Sequence, residues 1–196
     1  MISITGLRSP SVVSLVATTA MAITLFGVRT AHASLTQQQD NFDTSPTDWW
    51  FEQAGTRAIG TVGPGTAARS PSQLGLLTYI FGGGSTSEWS ALGKIFFLNG
   101  TEGGGDFPTI TSCAAGVWLK TPSSGGAKGQ LEIINPFNNT YIGIAPFNLS
   151  ASSGWTQVVA GNTWTCTPWL EIRVVLDNTT RSETLWIDDV VVQWGH

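Results

Sequence analysis

Histidine is almost missing: two of 196 residues, His32 and His196. His32 falls within the apolar leader read below as a signal and His196 is the last residue, so the remaining chain is not expected to build a Ser-His-Asp triad, a Cys-His pair or a multi-histidine zinc site, which excludes most hydrolase and metalloenzyme chemistry. Carboxylate chemistry of the glycosidase kind stays open. Charge is scarce as well, with nine Lys/Arg against thirteen Asp/Glu. The basic residues are scattered, so no basic patch exists to hold nucleic acid. Helical spacing is lacking too: no stretch of ten or more residues combines a 3.6-residue period with caps.

One long apolar run is present, at the start. Arg8 precedes the uncharged "SVVSLVATTAMAITLFGV", and Ala31-His32-Ala33 follows as a small-x-small site. The pattern predicts a secretory signal over 1–33; the alternative is a membrane anchor, which the small and hydroxylated residues disfavour. Removal would leave 163 residues (34–196), with seven basic against thirteen acidic side chains, a net charge of −6. That length suits a single domain, expected over 41–196 after a short polar segment, 34–40. We expect a secreted monomer with no membrane contact once the signal is gone. The two cysteines, Cys113 and Cys166, are expected to form one disulfide outside the cell. Closing a loop of 53 residues is worth ~4 kcal/mol in the chain-entropy picture.

The dominant period is two. "LEIRVVLD" sets Leu170, Ile172, Val174 and Leu176 on one face and Glu171, Arg173, Val175 and Asp177 on the other. "CAAGVWLK" alternates likewise, placing Trp118 and Lys120 opposite Ala115, Val117 and Leu119. Further strand-like runs lie at 57–62, 74–81, 93–98, 129–134, 141–147, 155–160 and 183–194. Glycine-rich and Asn/Ser-rich turns such as "FGGGSTS" and "NPFNN" separate them. Short strands without helices, several with strict alternation, predict an all-β antiparallel sandwich.

The last run poses a problem. "ETLWIDDVVVQW" places Asp188 and Asp189 inside an apolar strand, where one of two neighbours must point inward. An unpaired buried charge is costly. "WIDDVVV" resembles the closing strand of secreted carbohydrate-binding modules of families 4, 9 and 22, which are galactose-binding-like jelly rolls. "DNFDTSPTDWWFEQAG" (40–55) is similar to their opening motif, and "CAAGVWLKTPSSGGAKGQLEI" (113–133) to an internal strand pair. "SGWTQVVAGNTWT" (153–165) and "PWLEIRVVLDNTTRSETLWIDDV" (168–190) follow in matching order. The resemblance implies a jelly roll, a polysaccharide partner and a structural calcium ion joining the first and last strands. The matching ligand positions are Asp43, with Asp in place of the usual Glu, and Asp188 or Asp189. Calcium takes six to eight oxygens, which suits such acids. Without a metal, Asp188 and Asp189 would accept turn amides or pair with Arg57 or Arg69.

Sugar recognition needs flat apolar faces and fixed polar groups. All nine tryptophans lie after residue 33. Trp89 follows a strand and a Gly-rich turn, the segment where the resembling modules carry a stacking Trp. Trp118 shares a face with Lys120, and Tyr141 opens a strand. Glu132 and Arg173 point away from apolar neighbours. Together Trp89, Trp118, Tyr141, Glu132 and Arg173 are the candidate carbohydrate-binding residues. Trp49, Trp155 and Trp186 are expected to pack in the core, and Trp164 and Trp169 to pack on the disulfide. The expected function is non-catalytic binding of a glycan. The alternatives are an extracellular structural or adhesive domain without sugar affinity, whose Asn-x-Ser/Thr sites (Asn99, Asn138, Asn148, Asn178) could carry glycans, and a small carboxylate glycosidase or lyase.

Overall fold

The computed structural model describes residues 35–43, 46–54, 58–65, 68–70, 72–80, 88–98, 110–151, 154–162, 166–178 and 182–195. The candidate signal, Arg57, Trp164 and His196 lie outside the described residues. Among the described residues eleven strands form: β1 (Leu35–Asp40), β2 (Trp50–Ala54), β3 (Ala58–Pro64), β4 (Gln73–Tyr79), β5 (Glu88–Phe97) and β6 (Ser112–Lys120), then β7 (Ala127–Asn135), β8 (Thr140–Leu149), β9 (Thr156–Asn162), β10 (Trp169–Asn178) and β11 (Glu183–Gly195). A 3-10 turn spans Pro46–Asp48, and no α-helix occurs among the described residues. None of these elements is a helix long and apolar enough to cross a membrane.

The strands pair antiparallel in two sheets. One runs β3-β4-β11-β6-β9, with β1 also on β11; the other runs β2-β5-β10-β7-β8. Alternation decides what lies between them. Leu170, Ile172, Val174 and Leu176 of β10 have no exposed surface, and they join Val117, Leu119, Ile187, Val190 and Val192 of the other sheet in one core. Full burial of each such side chain stabilises by ~1.5–3 kcal/mol. The disulfide expected between Cys113 and Cys166 forms, with Cα atoms 5.8 Å apart. It ties β6 of one sheet to the approach to β10 of the other.

Two expectations need correction. The polar segment 34–40, placed outside the domain, contains β1, which pairs with Val190–Gly195. Its glutamines read as linker because an edge strand is held by its backbone and can be polar on both faces; Gln37 accepts from Gln193 at 2.9 Å, and Gln39 donates to Asp189 at 3.2 Å. Trp186 is half-buried on the outer face rather than in the core. Its parity with Val190 and Val192 is broken by a bulge: the register with β6 shifts between Asp188 and Val191, and Asp189 has φ +46°. An extra residue turns every later side chain to the opposite face.

Candidate functional site

The face of β10 opposite the core carries Trp169, Glu171, Arg173, Val175 and Asp177. Register sets its neighbours. On β5, Trp89 lies beside Asp177, Gly93 beside Arg173, and Phe97 beside Trp169. On β7, Gln130 lies beside Val175 and Glu132 beside Arg173. Outermost, Trp50 and Glu52 of β2 sit against Gly93 and Ala91. The outer face of the five-stranded sheet is therefore aromatic at both ends and ionic in the middle.

A pocket of about 240 Å³ opens here, lined by Trp89, Gln130, Glu132, Tyr141, Arg173, Val175 and Asp177. Four of the five candidate sugar-binding residues thus meet at one place. Tyr141 is 54% exposed at the rim. Arg173 organises the floor: its Nε donates to Glu132 at 2.7 Å, its Nη1 to Glu52 at 2.9 Å, and its guanidinium carbon lies 5.7 Å from the centre of the Trp89 ring. Burial disfavours the Arg173 charge, yet its bonds to Glu132 and Glu52 outweigh this and raise its pKa above the ordinary value. The second oxygen of each glutamate is also occupied. Gln130 donates to Glu132, and the Trp50 indole donates to Glu52 at 3.1 Å. Trp50 can lie this close to the sheet because Gly93 is beneath it; a Cβ there would stand 2.9 Å from the indole. The result is a rigid polar floor between indole walls.

Toward the other end, Trp169 packs edge-on against Phe97, ring centres 3.9 Å apart, and against Phe137 at 5.9 Å. Trp169, expected on the disulfide, instead lies on this outer face. Between the aromatic end and Arg173 sits Glu171, only 8% exposed. Burial pushes its carboxyl above the usual value; Arg173 opposes the shift, while Glu52 and Glu132 add to it.

Trp118 is the candidate that does not join them. It belongs to β6 in the other sheet, with the Arg69 guanidinium stacked 4.1 Å from its ring centre. Its parity was legible, but its sheet was not. Sequence reasoning also left Trp50, Glu52 and Gln130 out of the site, although the β10 alternation had already set Glu171 and Asp177 beside Arg173.

The acidic pair answers to different partners. Asp188, fully buried, accepts the amide of Arg69 (2.6 Å) and the amide and hydroxyl of Ser70 (3.0 and 2.9 Å). It also accepts the Asp189 amide at 2.8 Å. Burial raises its pKa, and these four hydrogen bonds oppose the rise. Asp189 forms an ion pair with Arg69. Asp43 accepts the Ser72 hydroxyl at 2.8 Å. Among the described residues no three metal-ligating side chains gather. This arrangement does not fit a calcium ion at Asp43, Asp188 and Asp189: hydrogen-bond donors and a guanidinium stand where a cation would need oxygens. Asp188 and Asp189 take the partners expected of them without a metal, turn amides and Arg69. Asp40 of the opening motif is likewise met by a lysine, Lys94, at 2.5 Å.

No protein-family model matches the chain, and no curated protein matches it. Solved structures do. A CBM61 module in complex with β-1,4-galactotriose superposes with a TM-score of 0.52 at 13% identity, covering 78% of this chain and 97% of that one. The CBM22-1 xylan-binding domain of Paenibacillus barcinonensis Xyn10C gives 0.52 at 11% identity, covering 80% and 92%. The chain has the jelly-roll fold of carbohydrate-binding modules. The same fold also occurs within enzymes: an arabinose-bound α-L-arabinofuranosidase matches with a TM-score of 0.53 at 13% identity, over 79% of this chain and 24% of that one.

Proposed function

We propose that this protein is a secreted, non-catalytic carbohydrate-binding module whose outer β10 face holds a polysaccharide chain. The observation that carries the proposal is the meeting of Trp89, Tyr141, Glu132 and Arg173 around one open pocket. An indole face presents apolar surface to the C–H side of a sugar ring. Carboxylate and guanidinium groups held by one another are pre-organised to meet hydroxyls at little entropic cost. Fold likeness supports the class and leaves the glycan open, since one fold hosts many tasks. The signal-like N-terminus and the disulfide support an extracellular setting.

The test is affinity electrophoresis and pull-down on cellulose, xylan, chitin and β-glucans. Retention on at least one glycan is expected, with Trp89→Ala reducing it at least tenfold and leaving the melting temperature within a few degrees. Trp118→Ala, on the other sheet, is expected to leave retention intact. No retention on any glycan would favour a structural or adhesive role, and released reducing sugar would favour an enzyme.

A further inference from the structure

The polar inventory of the β10 face is lopsided. Arg173 is engaged by Glu132 and Glu52, and the remaining oxygens of both glutamates are taken by Gln130 and Trp50. One guanidinium shared between two carboxylates leaves this cluster with a net negative charge. Two carboxylates remain. Glu171, nine-tenths buried, and Asp177, exposed, accept no hydrogen bond from any described residue. The Glu171 side chain is confined, yet its oxygens are not among the sealed, unpartnered atoms of the described residues, so a donor from a ligand can reach them. Counting each strand that faces the site, Glu52, Glu132, Glu171 and Asp177 stand against Arg173 and Lys128, the latter exposed at the end of β7. The net charge is −2. The aromatic faces at either end, Trp89 and Trp169, attract cations as well.

Resting on the carbohydrate-binding reading, we infer that this face selects glycans carrying free amino groups, with Glu171 receiving the ammonium. The bound chain would run along β10 from Trp89 beside Asp177 to Trp169, eight residues or about 26 Å. Glu171 stands in that path, two residues from Trp169 and two from Arg173. Uronates and sulfated sugars would meet an uncompensated negative field and be rejected. The expected preference comes from one charge-assisted hydrogen bond in a partly desolvated place, which amounts to about tenfold or more in affinity.

The test is calorimetry on the full chain with a β-1,4-linked glucosamine hexamer, its N-acetylated form, a cello-hexamer and an oligouronate. The glucosamine hexamer is expected to bind at least tenfold tighter than the cello-hexamer, and the oligouronate not at all. Glu171→Gln, which keeps the side-chain shape, is expected to shrink that ratio toward one. Asp177→Asn, at an exposed position, is expected to reduce the ratio by a smaller factor. Equal affinity for the glucosamine and cello-hexamers overturns the inference and leaves the carbohydrate-binding reading standing, as does tight binding of the oligouronate. Failure of all four ligands overturns the inference, and failure on the xylan and β-glucan panel as well overturns the carbohydrate-binding reading.

Discussion

Glu171 is an ordinary surface position by sequence, a charged residue on the wet side of an alternating strand. Its cross-strand neighbours are Ile95 and Ile134, and Trp169 lies two residues away on the same face, so the carboxyl is largely desolvated. Its pKa is raised from the ordinary 4.5, with Arg173 opposing the shift and Glu52 and Glu132 adding to it. The folded protein therefore binds a proton here that the unfolded chain has already released. The stability tied to Glu171 is complete below the unfolded value and is lost as pH rises through the folded one. Urea unfolding across pH 4 to 8 should show a downward component that Glu171→Gln removes, so the variant gains relative stability toward neutral pH. An identical slope in both proteins would mean that Glu171 has its ordinary pKa. This position was half legible: alternation gave its face, but burial depended on neighbours from β5 and β7 that only the register supplies.

At the scale of elements, period two was enough to find nine of the eleven described strands, because one parity of each supplies the shared core. β1 escaped notice since its polar side chains are exposed and its place is fixed by backbone pairing with β11. The bulge in β11 escaped for another reason. A single left-handed residue, Asp189, has no period, yet it reverses the facing of all that follows. That reversal explains the acids in an apolar strand. Asp188 is turned onto the amides of 69 and 70, and Asp189 onto the Arg69 guanidinium. The protein's own cation thus stands where the resemblance implied a metal. A chelator is accordingly expected to leave the melting temperature unchanged, whereas Arg69→Ala should cost about 2 kcal/mol by leaving buried Asp189 with Gln39 alone and uncovering Trp118. Differential scanning calorimetry with and without chelator reads both effects. A melting point that falls on chelation and recovers with calcium would restore the metal site.

For the whole molecule, what could not be read from the sequence is which strands share a sheet. Trp118 and Trp89 have the same local credentials, an indole on the wet side of a strand, and they end on opposite faces of the sandwich. The disulfide cross-links those two sheets, running from β6 to the segment three residues before Trp169. Its loss should therefore be felt twice. The chain-entropy term for a 53-residue loop is ~4 kcal/mol, a large part of the ~5–15 kcal/mol that holds a typical domain. Locally, the chain entering β10 would be freed beside the Trp169, Phe97 and Phe137 group. We expect the Cys113→Ala/Cys166→Ala pair to melt at least ten degrees lower, with proteolysis or hydrogen exchange showing the loosening concentrated at 166–169. Glycan affinity measured well below the new melting point should fall more for long oligosaccharides than for short ones, since short ligands can be held at the Trp89 end alone. An equal loss for both lengths would place the whole binding site around Trp89 and remove Trp169 from it.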